Sequence, residues 1–272
     1  MRIHIKISEI SKLNLLVQIL KRAYLLLMLL LLQINFSCKK NEPINLKIMT
    51  FNVRYGTAKD GENSWEYRHS ILLNCLKKYP PDILGTQESL SFQIDSILSV
   101  FPQYKTVGVG RYHGVPEPER PHESMSGESC NILYDSIKFK VLESGTYWHS
   151  DTPDVPASRT WGNSLPRITT WVRFQDKRSG TQFVVMNTHF HWQEPYVSET
   201  TKLILRKWRE IAGDTPMILM GDFNLDPTSE THQLFCGETG AEDVRGNFID
   251  CWQALGKSET DAATSHSFEG GT

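Results

Sequence analysis

From Asn45 onward, short apolar runs alternate with amphipathic stretches. Leu46 to Val53 reads as a strand, with LKIM leading into TFNV. Asn63, with Glu66 three residues on, forms a capping-box start for a helix running to about Lys78, and Pro80-Pro81 stops it. A second strand opens at Asp82-Ile83-Leu84-Gly85, and Ser91 to Val100 reads as a helix. Further short strands are predicted at Lys105–Val109, Asn131–Tyr134, Ile168–Phe174 and Phe183–Asn187. A helical pattern covers Val197 to Ile211, and Pro216 to Met220 is another apolar strand. Arg111 to Ser129 is a loop rich in Pro, Glu and His, and Asp151 to Pro166 is a second loop. No linker divides this stretch. The alternation alone favours one α/β domain with a doubly wound parallel sheet and its loops gathered over one edge.

The N-terminus reads as an address. Lys21 and Arg22 precede an apolar run from Ala23 to Leu32, which is short for a bilayer span and suits the apolar region of an export signal. Gln33 to Ser37 follow, then Cys38, Lys39 and Lys40. A small residue just before a Cys, beyond such a run, resembles a bacterial lipoprotein signal, although Asn35 stands where an aliphatic residue is more usual. Residues 1–37 are therefore expected to be a signal peptide, and Cys38 the lipidated residue. The expected location is exported, on the membrane through a lipid anchor at the periplasm or cell surface, with plain secretion as the alternative. Cys75, Cys130, Cys236 and Cys251 then face an oxidising compartment, as disulfides or isolated thiols, and no CxxC spacing suggests zinc.

The composition narrows the function. At 272 residues, 39% hydrophobic and 22% charged, the chain is neither disordered nor a polytopic membrane protein. Through Ser37 there are five Lys/Arg against one Asp/Glu, leaving 24 basic against 30 acidic residues, a net −6 for the remainder. A body that acidic does not grip polyanions by bulk electrostatics. Phosphate chemistry here needs a metal cation or a local basic patch.

Four clusters share one pattern, an apolar strand running straight into amide, carboxylate or imidazole groups. They are Thr50-Phe51-Asn52, Thr86-Gln87-Glu88, Asn187-Thr188-His189 and Gly221-Asp222-Phe223-Asn224. Strand ends on one sheet edge converge, so these groups can meet in one pocket. An amide and a carboxylate are oxygen ligands suited to Mg²⁺ or Mn²⁺. An imidazole can hydrogen-bond a charged phosphoryl oxygen, and a second carboxylate with an amide can orient a water. That set describes metal-assisted hydrolysis of a phosphate ester. A lipase-like reading fails because no GxSxG occurs. Taken singly, each residue has a plainer reading: Asn52 as a strand-end cap, Glu88 as a loop carboxylate, His189 as a structural histidine.

The order TFNVR, GTQES, NTH and GDFN resembles the endonuclease/exonuclease/phosphatase superfamily over nearly all of residues 45–272. SWEYR, VGVGR, GESCNILYD, GTYWHSDTPDVPAS and LPRITTW also match its bacterial members. The resemblance implies that Asn52 and Glu88 hold Mg²⁺ or Mn²⁺, and that His189 stabilises charge on the scissile phosphate. It implies that Asp222 activates the water and that Asn224 positions Asp222 and the phosphate. Glu128 in GESC and Arg167 in LPRI are further candidates, the first as a substrate-side or supporting acid or else a loop charge, the second as a phosphate-binding or structural arginine. Trp65 and Arg68 read as helix packing and capping, and His191-Trp192 departs from the family's commoner Leu-Asp-His continuation. The implied fold is a four-layer α/β/β/α sandwich of two mainly antiparallel sheets, which replaces the doubly wound reading.

The resembled family continues past a Thr-x-His-x-Phe segment to a final strand and a Ser-Asp-His-like motif. Here Thr264-Ser265-His266-Ser267-Phe268 matches the lead-in and the sequence stops at Gly270-Gly271-Thr272. By that comparison the last strand or strands and a second catalytic histidine are missing, and the chain as given is expected to be impaired. The expected protein is a monomeric Mg²⁺-dependent phosphodiesterase or phosphatase, possibly extending to nuclease activity. Its substrate would be a small molecule, a lipid headgroup or extracellular nucleic acid. The alternative is a non-catalytic surface module binding a phosphorylated or glycan ligand.

Overall fold

The computed structural model describes residues 15–28, 43–114, 127–257, 264–265 and 267–269. The chain forms two compact units, Met1–Ile44 and Asn45–Thr272. In the first, residues 15–28 form a helix, α1, with exposed side chains. Among the described residues no helix is long and apolar enough to cross a membrane. Cys38 and His266 lie outside the described residues.

The second unit runs β1 (Ile48–Asn52), α2 (Trp65–Lys78), β2 (Ile83–Gln87), α3 (Ser91–Val100), β3 (Tyr104–Val107) and β4 (Ile132–Asp135). It continues with β5 (Phe139–Trp148), β6 (Ile168–Asp176), β7 (Gln182–His189), α4 (Tyr196–Ala212), β8 (Met217–Asp222), α5 (Glu230–Cys236) and α6 (Cys251–Ala254). Two four-stranded sheets result, ordered β1-β2-β4-β3 and β5-β6-β7-β8. Only β1/β2 and β7/β8 pair in parallel; the other pairings are antiparallel. This corrects the doubly wound parallel sheet. A parallel pair of consecutive strands needs a crossover, usually a helix. Such a helix lies between β1 and β2 (α2) and between β7 and β8 (α4), whereas β4 to β7 follow one another without one.

Side-chain alternation along the strands assigns the layers. Leu84 and Leu133 face outward into a cluster with Leu72, Leu76, Ile94 and Ile97 of α2 and α3. On the second sheet, Val184 and Met186 face Ala212 and Ile211 of α4. That leaves Ile132, Tyr134, Val172, Phe174, Phe183 and Val185 for the space between the sheets, where Tyr134 and Phe174 meet at 5.0 Å. The result is a four-layer α/β/β/α sandwich. The same alternation turns Asn52, Gln87, His189 and Asp222 toward the inter-sheet space, each at the C-terminal end of its strand. Two parallel pairs, facing each other, bring all four ends to one rim.

Two glycines permit this approach. A Cβ on Gly85 would stand 2.6 Å from Met220 Cε and 2.8 Å from Asn187 Oδ1 on the facing sheet. Gly221, at φ +154°, would drive a Cβ into the Thr188 carbonyl oxygen, which explains the glycine that opens the GDFN cluster.

Three local readings need correction. α2 starts at Trp65 with Ser64 as N-cap and no side-chain cap bond, because Asn63 is taken into a 3-10 turn, Gly61–Asn63. The unpredicted strand β5 is broken in its pattern by a register shift between Val141 and Glu143. Arg68 does more than serve its helix: it donates to the carbonyls of Val53 (2.6 Å) and Arg54 (2.9 Å), pinning the chain as it leaves β1. The four cysteines beyond Cys38 are free thiols.

Candidate active site

Asn52 sits at the centre of the rim. Its Nδ2 donates to Glu88 Oε1 and to Asp222 Oδ2, both at 2.9 Å, while its Oδ1 accepts from the Arg54 amide at 2.9 Å. Glu88 Oε2 accepts from the Tyr55 amide at 2.9 Å. Asp222 Oδ1 accepts from the Asn224 amide at 3.1 Å, and Asn224 Nδ2 donates to the Phe190 carbonyl at 3.0 Å. Asn224 thus holds Asp222 through its backbone, and its side chain ties the exit of β7 to the exit of β8.

The backbone is strained at these positions. Arg54, Glu88 and Asn224 all adopt left-handed φ, at 58°, 57° and 49°. Each such residue costs on the order of 1 kcal/mol or more, least for Asn, and persists only where its surroundings over-determine it. For Arg54 those surroundings are visible, since Arg68 and Gln93 both donate to its carbonyl.

Beside the carboxylates lies a recess lined by Glu88, Arg111, Glu128, Ser129, Arg167 and His189, among others. Arg111 is buried and pairs with Glu128 at 3.2 Å. Arg167 is different. Its Nε is sealed from solvent with no hydrogen-bond partner, and none of its guanidinium nitrogens bonds to a described residue. Burial presses its pKa below the ordinary arginine value, yet a guanidinium does not deprotonate in proteins. Glu128 and Glu88 act on it only through space, and its two Nη atoms keep donors free for an anion entering the recess.

His189 Nε2 lies 3.8 Å from Asp222 Oδ2. Burial first, then the charge of Arg167, hold the imidazole well below its ordinary pKa. The ring is neutral at pH 7, so this approach is not an ion pair. A neutral imidazole remains able to donate to a phosphoryl oxygen.

Behind the rim, Gln87 Nε2 donates to Asn187 Oδ1 at 2.6 Å and to Thr50 Oγ1 at 3.1 Å. Asn187 Nδ2 donates to the carbonyls of Thr86 and Asn131, both at 2.9 Å. These buried amides join the two sheets. Both stand in the clusters read from the sequence, which gave them no such work, and Arg111 closes the VGVGR segment, which carried no role because its loop has no periodic signal.

Among the described residues, no three His, Cys, Asp or Glu side chains converge as a ready metal cluster. The donors at the rim are two carboxylates, Glu88 and Asp222, sharing one carboxamide. The carboxylate oxygens fit a hard cation that keeps most of its waters, and Asn52 would add an oxygen by turning its Oδ1, here on the Arg54 amide, toward them.

The family model of the Endonuclease/Exonuclease/phosphatase family matches residues 49–271, and the chain belongs to that family. Enzymes of this family generally use divalent metals. Among solved structures, the chain is similar to an endonuclease/exonuclease/phosphatase from Bacteroides vulgatus, with 33% identity, 71% of each chain covered and a TM-score of 0.65. A mannosyl-6-phosphatase from Bacteroides thetaiotaomicron gives 31% identity over 70% of this chain and 69% of that one, with a TM-score of 0.62. Protein angel of Drosophila melanogaster is 31% identical over 66% of this chain and 49% of its own length. The chain thus spans about half of that relative, and 37% of the Ccr4 exoribonuclease subunit of Emericella nidulans, to which it is 23% identical.

Proposed function

We propose that this protein is a divalent-cation-dependent phosphoesterase acting on small phosphate esters. The observation that carries the reading is Arg167, an unpartnered guanidinium in a recess that also holds His189 and opens beside Glu88. The likeness to the mannosyl-6-phosphatase supports a phosphomonoester, and the net −6 beyond Ser37 weighs against a polynucleotide. Asn52 and Glu88 would hold the cation, which when bound supplies Lewis-acid charge stabilisation. Arg167 binds the phosphate and His189 donates a hydrogen bond to it. Asp222, fixed by the Asn224 amide, orients the attacking water and accepts its proton.

Phosphate release from a generic phosphomonoester, with protein in excess over substrate, tests this. Release that requires Mg²⁺ and disappears in Asp222→Ala supports the reading. Arg167-dependent binding of phosphate with no release under any condition would instead make the protein a binding module. We also propose that it works outside the cytoplasm, anchored by a lipid on Cys38. Fatty-acid labelling that survives Cys38→Ala would contradict that.

A further inference from the structure

Three residues past His189, the chain carries aromatic side chains that the catalytic roles leave unused. The His191 ring stacks on Trp192 at 4.4 Å and 11°, and on Tyr196 at 4.8 Å and 29°. His191 is therefore the middle ring of a three-ring pile. The pile is anchored at its base: Tyr196 Oη donates to the Thr160 carbonyl at 2.8 Å, and Trp161 abuts Tyr196 edge-on at 6.2 Å. Trp161 is itself held by a 2.9 Å bond from its Nε1 to Asp151 Oδ1. His191 Nδ1 accepts from the Gln193 amide at 3.1 Å, which fixes the middle ring in its neutral form. The top ring is the exception. Trp192 is 63% exposed, a large apolar side chain held flat with its outer face in water. Nothing in the core needs it there. Its Cα lies at most about 11 Å from that of His189, since three residues separate them in sequence.

We propose that Trp192 is the stacking platform for the pyranose ring of a hexose phosphate whose phosphate lies at Arg167 and His189. This inference rests on the phosphoesterase reading of the site and adds the class of its substrate. The C–H bonds on one face of a pyranose carry partial positive charge, which suits the electron-rich face of an indole. A pre-stacked ring loses little conformational freedom on binding. Gln193 and Glu194 follow directly and offer acceptors for sugar hydroxyls. A nucleic-acid strand also stacks on aromatic rings, but it asks for a basic groove to follow its phosphates. Here the charges around the pile are mixed, Asp151 and Glu194 with Arg159 and Arg167, and form no basic run.

Equilibrium titration of the full chain in EDTA, where no turnover is expected, tests this. The ligands are mannose 6-phosphate, glucose 6-phosphate, adenosine 5′-monophosphate and inorganic phosphate. Hexose phosphates should bind about tenfold more tightly than inorganic phosphate, a margin equal to one modest contact. Trp192→Ala should erase that margin and leave inorganic phosphate within about twofold, while Trp192→Phe should keep part of it. An unchanged margin in Trp192→Ala would overturn the proposal. So would an equal loss for hexose phosphate and inorganic phosphate, or a greater dependence on Trp192 for the nucleotide than for the sugars. Arg167→Met should weaken every ligand. If it leaves inorganic phosphate untouched while the Trp192 margin persists, the phosphate reading of the recess fails and the ring platform stands.

Discussion

Asn52 of β1 and Asp222 of β8 meet through a 2.9 Å hydrogen bond across 170 residues of sequence and across the two sheets. The bond exists because each residue ends a strand of a parallel pair, and the two pairs face each other with their C-terminal ends at one rim. The same amide nitrogen also serves Glu88, so a single carboxamide bridges two carboxylates and offsets part of their repulsion.

Glu88→Gln removes one negative charge from this set while preserving its shape. Metal affinity and rate should both fall, with partial rescue at high Mg²⁺ or by Mn²⁺, and the melting temperature should hardly move. An unchanged metal titration would remove Glu88 from the site.

In the proposed reaction His189 and Asp222 would act on one transition state. His189→Ala should cost about 10²–10³-fold in rate, and Asp222→Ala on the order of 10²–10⁴-fold. The double variant should fall well short of the product of the two. Strict multiplication of the two losses, each confined to KM, would contradict shared chemistry.

The buried amides behind the rim make a stability prediction. Gln87→Leu removes two bonds and leaves Asn187 Oδ1 without its donor, whereas Asn187→Leu removes three, although Gln87 Nε2 keeps Thr50 Oγ1 and the Asn131 carbonyl keeps the Thr86 amide. A buried group left with no partner costs roughly 1–3 kcal/mol and a lost net bond about 1 kcal/mol, so Asn187→Leu, which loses one bond more, should be the more destabilising in urea melts. The double variant should be less destabilised than the sum, because the shared bond is lost once.

His149 predicts an acid response. It is fully buried, and burial with the charge of Arg167 pushes its pKa down to about 3 from 6.5. The unfolded chain therefore binds a proton that the folded chain refuses between about pH 6.5 and 3. Stability is complete above that window and falls as the pH drops through it, by up to about 1.4 kcal/mol per pH unit for one such group. His149→Gln, which can keep the bond to Thr169 Oγ1, should flatten the dependence of unfolding free energy on pH by about one proton. An unchanged slope would show that the imidazole titrates normally in the folded protein.

Much of the site was legible because strand pattern and site pattern coincide. An apolar run that ends in Asn52, Glu88, His189 or Asp222 announces both a strand and the edge where its chemistry collects. The layer arrangement was not legible from alternation alone. It depends on which strands have a helix between them, and β5 was hidden by its bulge and by the Glu143-Ser144-Gly145 break in its apolar pattern. The role of Arg111, at the end of VGVGR, was hidden for a different reason. Its loop position acquires meaning only when Glu128 folds against it, and the isolation of Arg167 likewise exists only in three dimensions.

The most direct measurement is phosphate release from mannose 6-phosphate under excess protein, comparing the native chain with Asp222→Ala, in Mg²⁺ and in EDTA. Release is expected from the native chain in Mg²⁺ alone, and none above background in the other three conditions. Release that persists in EDTA or in Asp222→Ala, or its absence from the native chain in Mg²⁺, would contradict the proposed function.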